Sequence, residues 1–93
     1  MATVTIELPS MLASVLGGVR RLEAKGDTWP LALKDAFRKL PGLEVHVYDE
    51  TGAFRPHVLC FVNDVNTRFE EVNPAAKLRD GDRITIMQAV SGG

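Results

Sequence analysis

At 93 residues, 45% of them hydrophobic, the chain is long enough for one small domain with a core and too short for a large catalytic cleft. Its 11 basic and 12 acidic residues give a net charge of −1, and no nucleic-acid partner is expected because binding phosphates requires a concentrated basic face. No apolar run approaches the ~20 residues of a membrane span, so no membrane partner is expected. The one cysteine and the lack of a signal-peptide pattern favour a reducing cytoplasm.

The first part of the chain predicts two strands. Residues 3–8 alternate polar and apolar side chains and include several β-branched residues, which indicates a half-buried strand. Residues 10–18 are weakly patterned and are predicted to form a loop, which leads to a second strand at about residues 19–24. In the turn that follows, Asp27 or Thr28 is placed to cap a helix.

Residues 29–40 predict the main helix, because apolar residues recur there at spacings of three and four while polar residues take the other side. Pro41 and Gly42 end this helix. Aromatic residues at helical spacing are usually part of a core. The Trp29 and Phe37 side chains are therefore interpreted as core and not as a ligand site.

The second half predicts further strands. Residues 43–48 alternate again, residues 58–62 are wholly apolar, and residues 83–87 alternate after a tight turn. Residues 65–79 are mixed and polar. This order of elements predicts an α+β domain, a mixed sheet with one main helix on one face and the other face uncovered.

The uncovered face is expected to dock a partner. If the buried face of the sheet includes Cys60 and Ile86, strand alternation places four side chains on the other face: Leu59, Phe61, Thr85 and Met87. Apolar side chains grouped in this way usually mark a partner surface. The alternatives are that the long polar segments cover them or that the register is reversed. Five basic residues either rim this patch or are scattered solvated charges: Arg55, Arg68, Lys77, Arg79 and Arg83.

The pattern contains no catalytic or metal site. Cys60 lies within an apolar strand, where a thiol is buried and inert. His57 and Cys60 are three positions apart on that strand, so they point to opposite faces and cannot share a metal. A single cysteine also excludes the ligand set of an iron–sulfur ferredoxin. The chain is therefore not expected to be an enzyme.

The end of the chain carries the functional hypothesis. Gly92 and Gly93 have no Cβ, so they can enter a channel too narrow for other residues. The carboxylate of Gly93 becomes reactive once a partner enzyme activates it. The six residues from Gln88 onward would reach about 20 Å if extended. We expect Val90, Ser91, Gly92 and Gly93 to enter a partner's active site, although chain termini are often frayed ends without a role.

Three segments resemble a known family: residues 61–64, residues 78–86 and the final Gly92-Gly93. Over essentially the whole chain they are similar to the ubiquitin-like sulfur carriers of the ThiS/MoaD family. The length, the long loop after the first strand, and Arg68-Phe69 look most like the members that serve a cysteine-biosynthesis route. The resemblance implies one β-grasp domain over residues 1–93 with a flexible tail at residues 88–93.

The resemblance also implies a chemistry for the tail. A ubiquitin-activating-type adenylyltransferase would use ATP to adenylate Gly93, which becomes a thiocarboxylate that donates sulfur to an accepting synthase. The chain itself would hold no cofactor. A metalloprotease that processes the C-terminus is a further possible partner, although the chain as it stands needs no trimming. Two alternatives stay open, a protein modifier joined to lysines and a small MoaD-like subunit of a molybdopterin-type synthase.

Overall fold

A computed structural model describes residues 1–68 and 73–89. Within them the chain forms five strands and three helices. In chain order these are β1 (Ala2–Glu7), α1 (Ser10–Val15), β2 (Arg21–Gly26), α2 (Trp29–Lys39), α3 (Leu43–Val47), β3 (Val58–Val62), β4 (Val65–Asn66) and β5 (Arg83–Gln88). None of the helices in these two ranges is both long and apolar enough to cross a membrane.

The strands form one mixed sheet in the order β2-β1-β5-β3-β4. The central strand β5 runs parallel to its neighbour β1, and every other neighbouring pair is antiparallel. Alternate residues of the three middle strands are almost completely buried on one face, among them Ile6, Cys60 and Ile86. The core that they form includes Ala32 and Leu33 of α2. The predicted α+β architecture, with the main helix on one face of a mixed sheet, is confirmed.

The main helix starts and ends as predicted, although its cap differs. Thr28 occupies the N-cap position, but its side chain makes no capping hydrogen bond. The helix is held close to the sheet at Gly26, where an added Cβ would lie 2.4 Å from the backbone nitrogen of Ala32. Trp29 stacks on Phe54 with ring centroids 5.8 Å apart. The aromatic residues of α2 are partly buried and pack against the core, as predicted.

Residues 43–48 were predicted to form a strand, and that prediction is wrong because α3 occupies residues 43–47. Leu43 and Val47 are completely buried, whereas Val45 is 62% exposed. A spacing of four places the two buried residues on one side of a helical turn, and an apolar residue between them imitates the alternation of a strand. Five residues are too few to separate the two periods.

Three other elements differ from the sequence prediction. Residues 10–18 were expected to be a loop, but Ser10–Val15 is a single short helix, too short to show a helical period. The second strand lies at Arg21–Gly26, two residues later than expected. Val65–Asn66 is a short edge strand inside the polar segment. It follows a tight turn in which Asn63 has a positive φ of 48°, a conformation that asparagine tolerates better than most residues.

Candidate functional site

The last strand leads directly to the predicted tail. Gln88 is still part of β5 and pairs with Val58. The next residue, Ala89, donates its backbone N–H to the carbonyl of His57 at 2.7 Å. The first two residues of the predicted tail, Gln88 and Ala89, are therefore bound to the segment at residues 57–58. Residues 90–93, which include all four predicted tail-site positions, lie outside the described residues, and an extended segment of that length spans about 13–14 Å.

The four residues of the predicted docking patch come together beside this point. Leu59 lies directly opposite Met87, and Phe61 lies directly opposite Thr85, in the antiparallel ladder between β3 and β5. Met87 is 47% exposed, and the other three are half-buried. Their neighbours along each strand, such as Cys60 and Ile86, face the core. Side-chain alternation thus places the patch on the face away from α2, as the sequence predicted, and its docking role stays a prediction.

A polar row that the sequence analysis missed borders the patch. Glu7 pairs with Thr85 across β1 and β5, and the Thr85 hydroxyl donates to its carboxylate at 3.3 Å. Arg21 on β2 forms an ion pair with the same carboxylate at 3.4 Å. A surface groove of ≈ 620 Å³ passes between these residues and Met87. The alternation of residues 3–8 would have placed Glu7 on this face had the pairing of β1 with β5 been known.

Four of the five basic residues named as a possible rim of the patch make contacts within the chain, and their role as a rim stays a prediction. Arg83 lies on the same face as Thr85, but its guanidinium pairs with Asp64 at 3.2 Å. Arg55 donates to the backbone carbonyl of Val45. Arg68 likewise donates to backbone carbonyls, and Lys77 pairs with Asp27. Each of these four side chains therefore bonds to another part of the same domain.

Two of the segments that carried the family resemblance meet at the opposite end of β5. The Asn63 side chain accepts a hydrogen bond from the backbone N–H of Arg83 at 2.9 Å and donates one to the Asp82 carboxylate at 3.0 Å. Hydrogen bonds from the Arg79 backbone N–H and from Asn63 lower the pKa of Asp82. These residues fasten the β3–β4 turn to the start of β5. Their role is to build the sheet, and they lie far along β5 from its C-terminal end.

The Cys60 thiol is not available for chemistry. Its side chain is buried at 1% exposure, and burial raises its pKa to about 12. A thiol reacts as the thiolate, so this cysteine is inert near neutral pH. Among residues 1–68 and 73–89, no three His, Cys, Asp or Glu side chains are grouped so that they could hold a metal ion.

Comparison with known proteins gives a consistent result. A model of the ThiS family matches residues 6–93. The protein named sulfur carrier protein CysO of Mycobacterium tuberculosis is 33% identical over 92 residues, which cover 97% of this chain and 98% of the relative. The crystal structure of M. tuberculosis CysO superposes with a TM-score of 0.79 at 31% identity, over 94% of this chain and 99% of the other.

Two further solved structures are similar over nearly their whole length. The crystal structure of the Amycolatopsis orientalis BexX/CysO complex contains a chain with a TM-score of 0.80 and 32% identity, covering 97% of this chain and 99% of the other. The small archaeal modifier protein 1 of Methanosarcina acetivorans has a TM-score of 0.80 and 27% identity, covering 100% of this chain and 98% of the other. The predicted β-grasp fold and the predicted family resemblance are both confirmed by these matches.

Proposed function

This chain belongs to the ThiS family, and from that premise we propose that it is a sulfur carrier whose Gly93 carboxylate is adenylated and converted to a thiocarboxylate. The observation that carries the proposal is the match to the family, which extends to Gly93 itself. The 33% identity with a protein named as a sulfur carrier supports the same conclusion. We favour a cysteine route for the sulfur because relatives that are 31–33% identical to this chain bear the name CysO.

The proposed chemistry has two steps. First, a carboxylate oxygen of Gly93 attacks the α-phosphorus of ATP, forming an acyl-adenylate and releasing pyrophosphate. Second, a sulfur nucleophile attacks the activated carbonyl carbon, a C–S bond forms, the bond to the phosphate oxygen breaks, and AMP leaves. A ubiquitin-activating-type adenylyltransferase would bind ATP and catalyse both steps, so the carrier needs no bound cofactor. In a sulfur-accepting synthase the thiocarboxylate sulfur then attacks the acceptor, and hydrolysis of the acyl–sulfur bond releases the product and restores the Gly93 carboxylate.

The described part of the domain is consistent with a surface that a partner enzyme binds. β5 ends beside the apolar patch, so a partner that binds Leu59, Phe61 and Met87 would have its active site within reach of the last four residues. A reach of about 13–14 Å is enough to enter a cleft while the body stays outside. A metalloprotease that processes the C-terminus and a cytoplasmic location stay predictions.

The curated relative is named a sulfur carrier protein, and this chain is a carrier of the same family and not a catalyst. We propose that it is a substrate of its partner enzymes. A protein called BexX forms a complex with an A. orientalis CysO. We infer that this chain likewise works in complex with partner proteins.

A second function is favoured by a specific observation. The similarity to the small archaeal modifier protein 1, at 27% identity over the whole chain, supports joining of the activated Gly93 to lysine amines. The two functions share the adenylate and differ in the nucleophile that attacks it. Sulfur transfer yields a thiocarboxylate on the free carrier, whereas modification yields an isopeptide bond to another protein.

The test is reconstitution with defined components. The purified chain is incubated with ATP, sulfide and the candidate activating enzymes of its source cell, and the C-terminal peptide is analysed by mass spectrometry. We expect that peptide to gain the mass difference of sulfur replacing oxygen, and only when ATP is present. The matched control lacks Gly93 and is checked for folding by circular dichroism. Sulfur loading of the folded, truncated chain would contradict the proposal.

A further inference from the structure

Arg68 makes an unusual set of contacts for an arginine on the protein surface. One nitrogen of its guanidinium, Nη2, donates to the backbone carbonyls of Arg55, Pro56 and Val58 at 3.1, 3.1 and 2.7 Å. A charged donor makes stronger hydrogen bonds to a carbonyl than a neutral donor does. The side chain therefore ties residues 55–58 to the segment that follows β4.

The residues that Arg68 holds form a tight turn. The Arg55 carbonyl also accepts the Val58 backbone N–H at 3.0 Å, which closes a β-turn with Pro56 at its second position. The fixed φ of proline suits that position. Three of the four carbonyls in the turn face Arg68, and the remaining one, that of His57, accepts the Ala89 N–H at 2.7 Å.

Arg68 is itself anchored to the sheet. Its own backbone N–H donates to the Asn66 side chain at 3.0 Å, and the Thr67 N–H donates to the Cys60 carbonyl at 2.9 Å. Cys60 is buried in the core strand β3. A path of hydrogen bonds and short chain segments thus runs from β3 through Arg68 and the turn to Ala89, the last described residue of the chain.

We propose that Arg68 is a positioning residue that holds the turn at residues 55–58 in place. Through the His57 carbonyl, this turn fixes the position of Ala89, and so the point and direction from which residues 90–93 leave the folded domain. The inference rests on the proposed function, because positioning Ala89 matters only if Gly93 must enter a partner's active site. Gly93 lies only four positions after Ala89, so a shift of this anchor changes the region that the reacting carboxylate can reach. Misplacement of a reacting group by about 1 Å can lower a rate by about a hundredfold.

The first test measures the anchor directly by amide hydrogen exchange. Arg68→Met removes the donor, and Arg68→Lys restores a single charged donor. We expect exchange at Ala89 to accelerate roughly tenfold in Arg68→Met and less in Arg68→Lys, with the amide of Ile86 unchanged. The matched control is Arg38→Met, which removes a guanidinium from the outer face of α2. Unchanged exchange at Ala89, or equal acceleration at Ile86, would overturn the inference.

The second test separates positioning from partner contact. With an activating enzyme that adenylates the wild-type chain, we expect Arg68→Met to lower kcat by roughly tenfold to a hundredfold while the KM for the carrier changes by less than about twofold. Arg68→Lys should recover part of the loss. A raised KM with unchanged kcat would show that Arg68 contacts the partner and would overturn the inference. If the wild-type chain is never adenylated, the proposed function fails, and the exchange measurement still decides whether Arg68 holds Ala89.

Discussion

Removing the Asn63 side chain should destabilise the domain by about 2–4 kcal/mol. The side chain makes one hydrogen bond to a backbone N–H and one to the Asp82 carboxylate, with typical net contributions of roughly 0.5–1.5 and 1.5–3 kcal/mol. Asn63 is exposed, so values near the lower ends apply. Alanine at a φ of 48° adds roughly 1 kcal/mol of backbone strain, which glycine avoids.

The assay is urea unfolding followed by the fluorescence of Trp29, the only tryptophan. We expect Asn63→Ala to be the least stable variant, and Asn63→Gly to recover roughly 1 kcal/mol because it removes the strain but not the lost hydrogen bonds. Asn73→Ala is the matched control, since the hydrogen bond that the Asn73 side chain makes within the described residues is a local one, accepted from the Ala75 N–H, and its loss should cost less than about 1 kcal/mol. If Asn63→Ala is no less stable than Asn73→Ala, or if Asn63→Gly is the worse of the two Asn63 variants, the reasoning is refuted.

Three further predictions concern the thiol, a charged side chain and the patch. Cys60→Ala should lose about 1 kcal/mol of stability and keep full sulfur loading; loss of loading in the folded variant would show that the thiol takes part. Hydrogen bonds from the Lys25 backbone N–H and the Arg38 side chain lower the pKa of Asp35 from its ordinary 3.8 to about 2. The stability that ionised Asp35 contributes is therefore complete above pH 3.8 and is lost as the pH falls towards 2. Asp35→Asn should therefore be less stable than the wild type at neutral pH in urea unfolding, and the difference should shrink near pH 2; a constant difference would contradict this. Met87→Asp should weaken binding of the activating enzyme roughly tenfold or more in calorimetry. Val45→Asp, which changes an even more exposed apolar residue on α3, should not weaken it, and equal effects of the two substitutions would remove the patch from the interface.

The elements that could be predicted from the sequence are those with a long or unambiguous pattern. The main helix has eleven residues, enough for several turns of its period. The strand at residues 58–62 is wholly apolar, and its bounds are confirmed. The short helices at residues 10–15 and 43–47 were missed or misread, because five or six residues fit a helical and a strand period equally well.

The docking patch and the Arg68 contacts differ in how far the sequence could reveal them. Strand alternation fixes which residues share a face, so Leu59 and Met87 were grouped correctly before their pairing was known. The hydrogen bonds of Arg68 to the turn at residues 55–58 depend on how the chain returns after β4. No local sequence pattern predicts that the chain after β4 comes back to this turn, and a single arginine in a polar segment does not indicate it.

The central claim is that the sulfur is carried by the main-chain carboxyl group of Gly93. The measurement that tests it most directly is the mass of the protein isolated from its own cell, followed by peptide mapping. We predict a fraction of free carrier in which sulfur replaces oxygen, with the change confined to the peptide that contains Gly93. Extra sulfur on the peptide that contains Cys60, or a lysine-linked conjugate as the only modified form, would contradict the account.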